Sequence, residues 1–220
     1  MNKKLYYLCC FIMLISIVGT AIFIVLMPDI VPMHYNLQGE INRLGSKYEN
    51  LIFPLATIGL GVFFLLFARY YGKKSQTKAE KSLLYTAFVT LIFITALGFY
   101  YMLRSVNYGL GVPSSGSVGI DLVGIGIGLL LICIGFIMPK VPRNSVFGLR
   151  TKWSMANDRV WQKCQRFGGL SSIVFGAVLI LLSLVLSSDI IGIALIIMVV
   201  LWLFICIAVS YYYYKKDISE

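Results

Sequence analysis

The chain contains a single histidine, His34, and the chemistry open to it depends on what stands nearby. Asp29 and Glu40 are the carboxylates within reach along the sequence. One imidazole with scattered carboxylates lacks the ligand spacing of a zinc site, where two histidines typically share one helix face. A hydrogen-bonding role, structural or in contact with a peptide, is the stronger reading of His34. The segment around it, MPDIVPMHYNLQGEINRLGSKYEN, also holds Pro32, Tyr35, Asn36, Gly39 and Lys47.

A second dense set of polar, cationic and aromatic side chains lies at 139–169, PKVPRNSVFGLRTKWSMANDRVWQKCQRFGG. Asn144, Gly148, Arg150, Thr151, Trp153, Asn157, Trp161 and Arg166 are spread through it. Neither segment contains HExxH, GxSxG, a phosphate loop or paired carboxylates on a helix, so no catalytic residue, metal or cofactor is expected. The pattern suits a shaped binding surface better than a reaction centre.

These segments need something to hold them, and composition restricts what that is. Only 13% of the residues are charged and the mean hydropathy is +0.87, whereas a soluble domain carries about 25% charged residues. A helix crosses the hydrocarbon core with about 20 apolar residues. Six stretches qualify: Leu5 to Met27, Leu51 to Tyr70, Leu83 to Leu103, Val118 to Met138, Leu170 to Leu186 and Ile190 to Tyr211. Tyrosines at their ends, such as Tyr6, Tyr70, Tyr100 and Tyr211, suit headgroup depth. The expected fold is an all-α polytopic membrane protein of six transmembrane helices in a cell membrane.

Placing both termini in the cytoplasm puts sixteen of the nineteen Lys and Arg residues there and leaves Arg43, Lys47 and Arg104 outside. The positive-inside rule favours that orientation. The net charge of +10 therefore reads as topology, and direct nucleic-acid binding is not expected. Cys9, Cys10, Cys133 and Cys206 fall within spans and Cys164 in an inner loop, so no external disulfide is expected.

The expected organisation is a two-helix module over 1–71 with an external loop at 28–50, a cytoplasmic linker at 72–81, and a four-helix module over 82–220 with the basic loop 139–169. In the external loop, Pro28 and Pro32 hold the chain extended and Gly39 and Gly45 supply turns. It reads as a small ordered cap, a hairpin being one form of it. In the basic loop, Pro139 and Pro142 end the fourth helix, Gly148 allows a tight turn, and Ser154 or Asn157 can cap a new helix. Val160, Trp161, Cys164 and Phe167 share one face of that helix, opposite Arg159, Lys163 and Arg166. Such a helix is expected to lie in the interface, its apolar side in the headgroups. Gly124, Gly126 and Gly128 include an i, i+4 pair that permits close helix approach.

Two signatures in this order resemble a known family. Pro28, Pro32, His34, Tyr35, Gly39 and Ser46-Lys47 resemble the domain of unknown function that opens many SdpI-type bacterial membrane proteins. Asn144, Gly148-Leu149-Arg150-Thr151, Trp153-Ser154, Asn157, Trp161, Arg166 and Gly168-Gly169 resemble the C-terminal signature of the same family. Members commonly have a histidine just before the signature arginine; here that residue is Gln165.

The resemblance implies an immunity protein that resists a secreted antimicrobial peptide and recruits a small DNA-binding repressor to the membrane. On that implication Pro32, His34, Tyr35, Asn36, Gly39 and Lys47 are candidates for toxin recognition outside. Asn144, Gly148, Arg150, Thr151, Trp153, Asn157, Trp161 and Arg166 are candidates for the cytoplasmic partner. Asp29, Glu40 and Glu49 against Arg43 and Lys47 would give the external loop a modest attraction for a cationic peptide. A transporter or channel for a peptide or small solute is the alternative, disfavoured because the ionisable residues sit at or beyond helix ends. A membrane enzyme joining His34, Asp29 and Glu40 is a third possibility.

Overall fold

The computed structural model describes residues 2–36, 40–74, 77–111, 118–186 and 188–219. Among them, six helices are long and apolar enough to cross a membrane. These are α1 (Lys3–Leu26), α2 (Ile52–Lys73), α3 (Thr77–Gly109), α4 (Val118–Ile137), α5 (Asp158–Val185) and α6 (Ser188–Ser219). In hydrocarbon every backbone polar group must be satisfied within its own segment, which is why apolar runs of this length become helices. At 33 residues, α3 is about 50 Å long and outreaches a hydrocarbon core of about 30 Å.

The chain between α1 and α2 forms an antiparallel hairpin of β1 (Ile30–Tyr35) and β2 (Ile41–Ser46), followed by a 3₁₀ turn at Lys47–Leu51. An isolated two-stranded hairpin is marginal in water. This one is fastened by Val31, which is fully buried with Met27 and Met102, and by Met33 packed against the same cluster with Phe23, Phe53, Phe99 and Val106. The hairpin thus rests on one end of α1, α2 and α3.

The lipid-facing surface is apolar, as at Phe11, Val25, Leu66, Leu181, Ile196 and Phe204, while small and hydroxylated side chains turn inward. Ser16 and Thr57 meet at 3.4 Å between α1 and α2. Farther from the hairpin, Leu5 and Cys9 of α1, Leu65, Ala68 and Tyr71 of α2, and Leu83, Leu84, Ala87 and Leu91 of α3 form one core.

Helices α4 and α5 approach by glycine contact. A Cβ on Gly176 would stand 2.5 Å from the Gly128 carbonyl oxygen, and one on Gly128 would stand 2.7 Å from that of Gly176. Gly135 and Gly169 are related in the same reciprocal way, at 2.7 and 2.6 Å. Gly124 faces Ser183 on this seam, whereas Gly126 turns to Phe93 of α3. The spacing that matters is therefore seven residues on each helix, two turns, and it involves glycines outside the expected cluster.

One expectation fails at the start of α5. No separate interfacial helix forms; a single helix of 28 residues runs from Asp158 through the Gly168-Gly169 pair. Those glycines do not break it, because they are where α5 lies against Gly135, Pro139 and Met138. The face bearing Val160, Trp161 and Cys164 is buried in protein instead of headgroups.

Candidate functional site

The basic loop joins α4 to α5 at the end of the bundle opposite the hairpin, after a 3₁₀ turn at Met138–Lys140. Its irregular backbone is fixed by side chains. Asn144 is buried; its Oδ1 accepts from the N–H groups of Val146 and Phe147 at 2.8 Å, and its Nδ2 donates to the carbonyls of Pro142 and Phe147. Trp161 is 1% exposed and donates its indole N–H to the Val141 carbonyl at 2.8 Å. Gly148 has φ +117°, a conformation that L side chains rarely adopt. A Cβ there would also meet the Gln165 Oε1 at 2.5 Å.

Gln165 is fully buried and clamps one residue on both sides. Its Oε1 accepts from the Leu149 N–H at 2.9 Å and its Nε2 donates to the Leu149 carbonyl at 3.0 Å. A primary amide suits this task, because a neutral imidazole in its place would offer its donor and acceptor at fixed opposite corners of the ring. The departure from the family pattern noted in the sequence thus falls on a residue that holds the loop's fold.

The next turn is built from hydroxyls. Ser154 Oγ accepts from the Thr151 N–H and donates to the Leu149 carbonyl, while Thr151 Oγ1 accepts from the Ser154 N–H and bonds Ser210 of α6 at 2.8 Å. Asn157 caps α5 by accepting from the Val160 N–H and reaches α6 by donating to Asp217 at 2.7 Å. Arg159 stands 3.7 Å from the other Asp217 oxygen, an ion pair too long to be a hydrogen bond. Trp153 packs edge-on against Tyr211, with Lys152 above its ring. Arg143 ties the loop's two ends, donating to the Met155 and Ala156 carbonyls and pairing with Asp158 at 2.9 Å.

The loop tip reaches across to the other half of the bundle. Val146 and Phe147 pack on the α1–α2–α3 core. Tyr71 Oη of α2 accepts from the Ser145 N–H at 2.9 Å and bonds the Ser145 hydroxyl at 2.7 Å. Of the eight residues expected to meet a partner, Asn144, Gly148, Thr151, Asn157 and Trp161 are engaged in this framework. Trp153 is half-buried, and Arg150 and Arg166 are exposed.

The hairpin divides in the same way. Pro32 is buried, and Asn36 bonds Glu40, accepting from its N–H at 2.8 Å and donating to its carboxylate at 2.9 Å. Tyr35 lies on the Arg104 guanidinium, 4.1 Å from the ring centroid. Burial raises the Tyr35 phenol above its usual value, against the opposing pull of Arg104, so Arg104 faces a neutral ring. His34 is exposed and bonds Asn42 through Nδ1 at 2.6 Å. Gly39 lies outside the described residues.

The acidic residues of this end are largely occupied. Lys47 pairs with Asp29 at 3.0 Å and Arg43 with Glu49 at 2.6 Å, and Glu49 also completes a capping box with Ser46. The expected electrostatic pull on a cationic peptide is correspondingly reduced. What the hairpin presents instead is apolar: Ile30, Leu44 and Tyr48 are each about half exposed or more. Sequence reasoning passed over these three, although isolated apolar residues in a polar loop were the available signal.

Among the described residues no group of three or more His, Cys, Asp or Glu side chains is placed to hold a metal ion. The chain matches the SdpI/YfhL protein family over residues 140–210 and a domain of unknown function, DUF1648, over residues 11–58. It is 28% identical over 207 residues to the Immunity protein SdpI of Bacillus subtilis (strain 168), covering 93% of each chain. No solved structure matches it.

Proposed function

Because the chain belongs to the SdpI family of multi-pass membrane proteins, we propose that it is an immunity protein that captures a secreted antimicrobial peptide on its hairpin and displays the basic loop to a cytoplasmic partner. The observation that carries this reading is the likeness to an immunity protein across 93% of both chains, hairpin and loop included. The positive-inside rule supplies the orientation, hairpin outward and basic end inward, with both termini in the cytoplasm.

Physical features support the two roles. A membrane-active peptide is amphipathic, and the exposed Ile30, Leu44 and Tyr48 offer it an apolar contact beside His34, whose Nε2 is not used by the bond to Asn42. At the opposite end, Arg150, Arg159 and Arg166 are exposed on a framework held by the buried Asn144, Ser154, Trp161 and Gln165. A small repressor with an acidic face would find there a stiff, cationic surface.

A signal between the ends would run through α1, α2 and α3 in preference to the glycine-rich α4. The hairpin sits on those three helices, and the loop tip at Ser145, Val146 and Phe147 rests on the same ones. Helix α4 is locked to α5 by reciprocal glycine contacts. A peptide that shifts α2 relative to α3 would move Tyr71 under Ser145 and change the loop's seat.

The test is survival of a susceptible Gram-positive host that expresses the chain and is challenged with a panel of secreted membrane-active peptides. Wild type should protect against at least one. At matched expression, Leu44→Glu and His34→Ala should lose protection, while Arg150→Ala should keep it and lose only repressor recruitment to the membrane. No protection by wild type against any peptide in the panel would remove the proposal.

A further inference from the structure

At the basic end, α3 and the α4–α5 connection leave a groove of about 980 Å³ between them. One wall is the first three turns of α3, with Lys78, Ser82 and Tyr85 at i, i+4 and i+7 and Lys81 beside them. The other comprises Phe136 and Ile137 at the end of α4, Lys140 and Arg143 after it, and Trp161 of α5. Four cations thus line the groove against one carboxylate, Asp158.

That carboxylate is already neutralised, because Arg143 pairs with it through Nε at 2.9 Å while its Nη1 donates to the Met155 and Ala156 carbonyls. Glu80, next in sequence to Lys81, is buried on another face of α3, where it accepts from the Asn2 N–H. None of the ion pairs among the described residues includes Lys78, Lys81 or Lys140. Three exposed lysines from two different helix ends therefore converge on one groove with no ion-pair partner among the described residues.

The groove's depth and sidedness decide what fits. The apolar run of α3 begins at Leu83 and that of α4 ends at Met138, so the lysines stand at headgroup level. Below them Tyr85 and Phe136 are both exposed on the lipid-facing flank, giving the groove an apolar lower lip open sideways to the bilayer.

We infer that this groove holds the headgroup of an anionic phospholipid of the phosphatidylglycerol type. Its phosphodiester lies among Lys78, Lys81 and Lys140, and its acyl chains descend past Tyr85 and Phe136. Lysine binds phosphate as a point charge without demanding bidentate geometry, and basic recesses between transmembrane helices are suited to anionic headgroups. The apolar lip distinguishes a lipid from a free anion or an acidic soluble partner, neither of which would use it. Val141 and Arg143, which border the groove, belong to the framework of the basic loop, so the bound lipid braces that loop.

The test uses the full chain purified in maltoside detergent, with phosphatidylglycerol, phosphatidylcholine or inorganic phosphate added. Lipid retained per chain is read by native mass spectrometry and stability by thermal unfolding. Wild type should retain one phosphatidylglycerol and melt higher with it, and should respond to neither of the other two. The K78Q/K81Q/K140Q chain should bind it roughly a hundredfold more weakly, and K78R/K81R/K140R should recover binding. The control K73Q/K215Q/K216Q, which removes the same charge elsewhere at this end, should behave as wild type. Unchanged binding in the first variant, equal loss in the control, or an equal response to phosphatidylcholine would each overturn the inference. So would full replacement by inorganic phosphate at the same concentration, which would make the site a simple anion site.

Discussion

Replacing Gln165 tests the framework of the basic loop at its tightest point. Gln165→Ala removes both bonds to Leu149. The Leu149 carbonyl keeps the Ser154 hydroxyl, but its N–H is left without a partner. Two net hydrogen bonds at about 1 kcal/mol each, with an orphaned donor costing about 1–3 kcal/mol and partial overlap between these terms, give about 2–4 kcal/mol. If the loop opens locally, amide exchange over residues 149–154 should accelerate about thirtyfold to several hundredfold, while the α1–α2–α3 core remains protected. Gln165→Glu adds a sign that geometry alone dictates. An ionised carboxylate there still accepts from the Leu149 N–H but sets a second oxygen against the Leu149 carbonyl, so burial and repulsion raise its pKa above the usual glutamate value. The protonated acid can donate to that carbonyl, so the variant's loop should be protected at low pH and lose protection as pH rises through the raised pKa. Wild type, with no titrating group at 165, should show no such transition once intrinsic exchange is corrected. Equal protection in wild type and both variants would refute the clamp.

Gly176→Ala should lower thermal stability by about 1–3 kcal/mol, since its Cβ meets a backbone carbonyl that cannot move aside. Gly59→Ala in α2, where nothing lies within 4 Å, should be neutral or raise stability by up to about 1 kcal/mol in the same melts. Glu49→Ala removes the Arg43 pair and half the capping box; exchange at Ser46 should quicken by an amount equivalent to about 1 kcal/mol. Asp217→Asn, which keeps an acceptor for Asn157 but removes the charge facing Arg159, should change loop exchange less than Asp217→Ala does.

Much of this architecture was readable from composition. Six apolar runs become six helices because hydrocarbon allows the backbone few other solutions. Pro139 and Pro142 end α4, and Asn157 caps α5, as their residue types indicate. The failures share a cause. The apolar run starts the fifth span at Leu170 and leaves Gly168-Gly169 in the loop, whereas packing on Gly135 and Pro139 places the pair inside α5. Trp161 and Cys164 read as a headgroup-facing stripe because what covers them is distant in sequence, the loop at Val141 over Trp161 and Cys206 of α6 beside Cys164. Gln165 drew notice only as a substitution in a family pattern, since a clamp on Leu149 leaves no periodic trace. Asp217 did carry a signal: a carboxylate beside Lys215 and Lys216 in the last turn of a helix opposes the helix dipole, and such a residue calls for a partner, here Asn157.

Capture of a peptide on the hairpin can be observed directly in intact cells. A photo-crosslinking side chain is placed at Leu44 in one strain and at Arg150 in another, and both are challenged with a tagged form of a peptide against which the wild-type chain protects. The account predicts a covalent adduct from position 44 and none from position 150. An adduct from position 150 alone, or none from the hairpin while protection is intact, would contradict it.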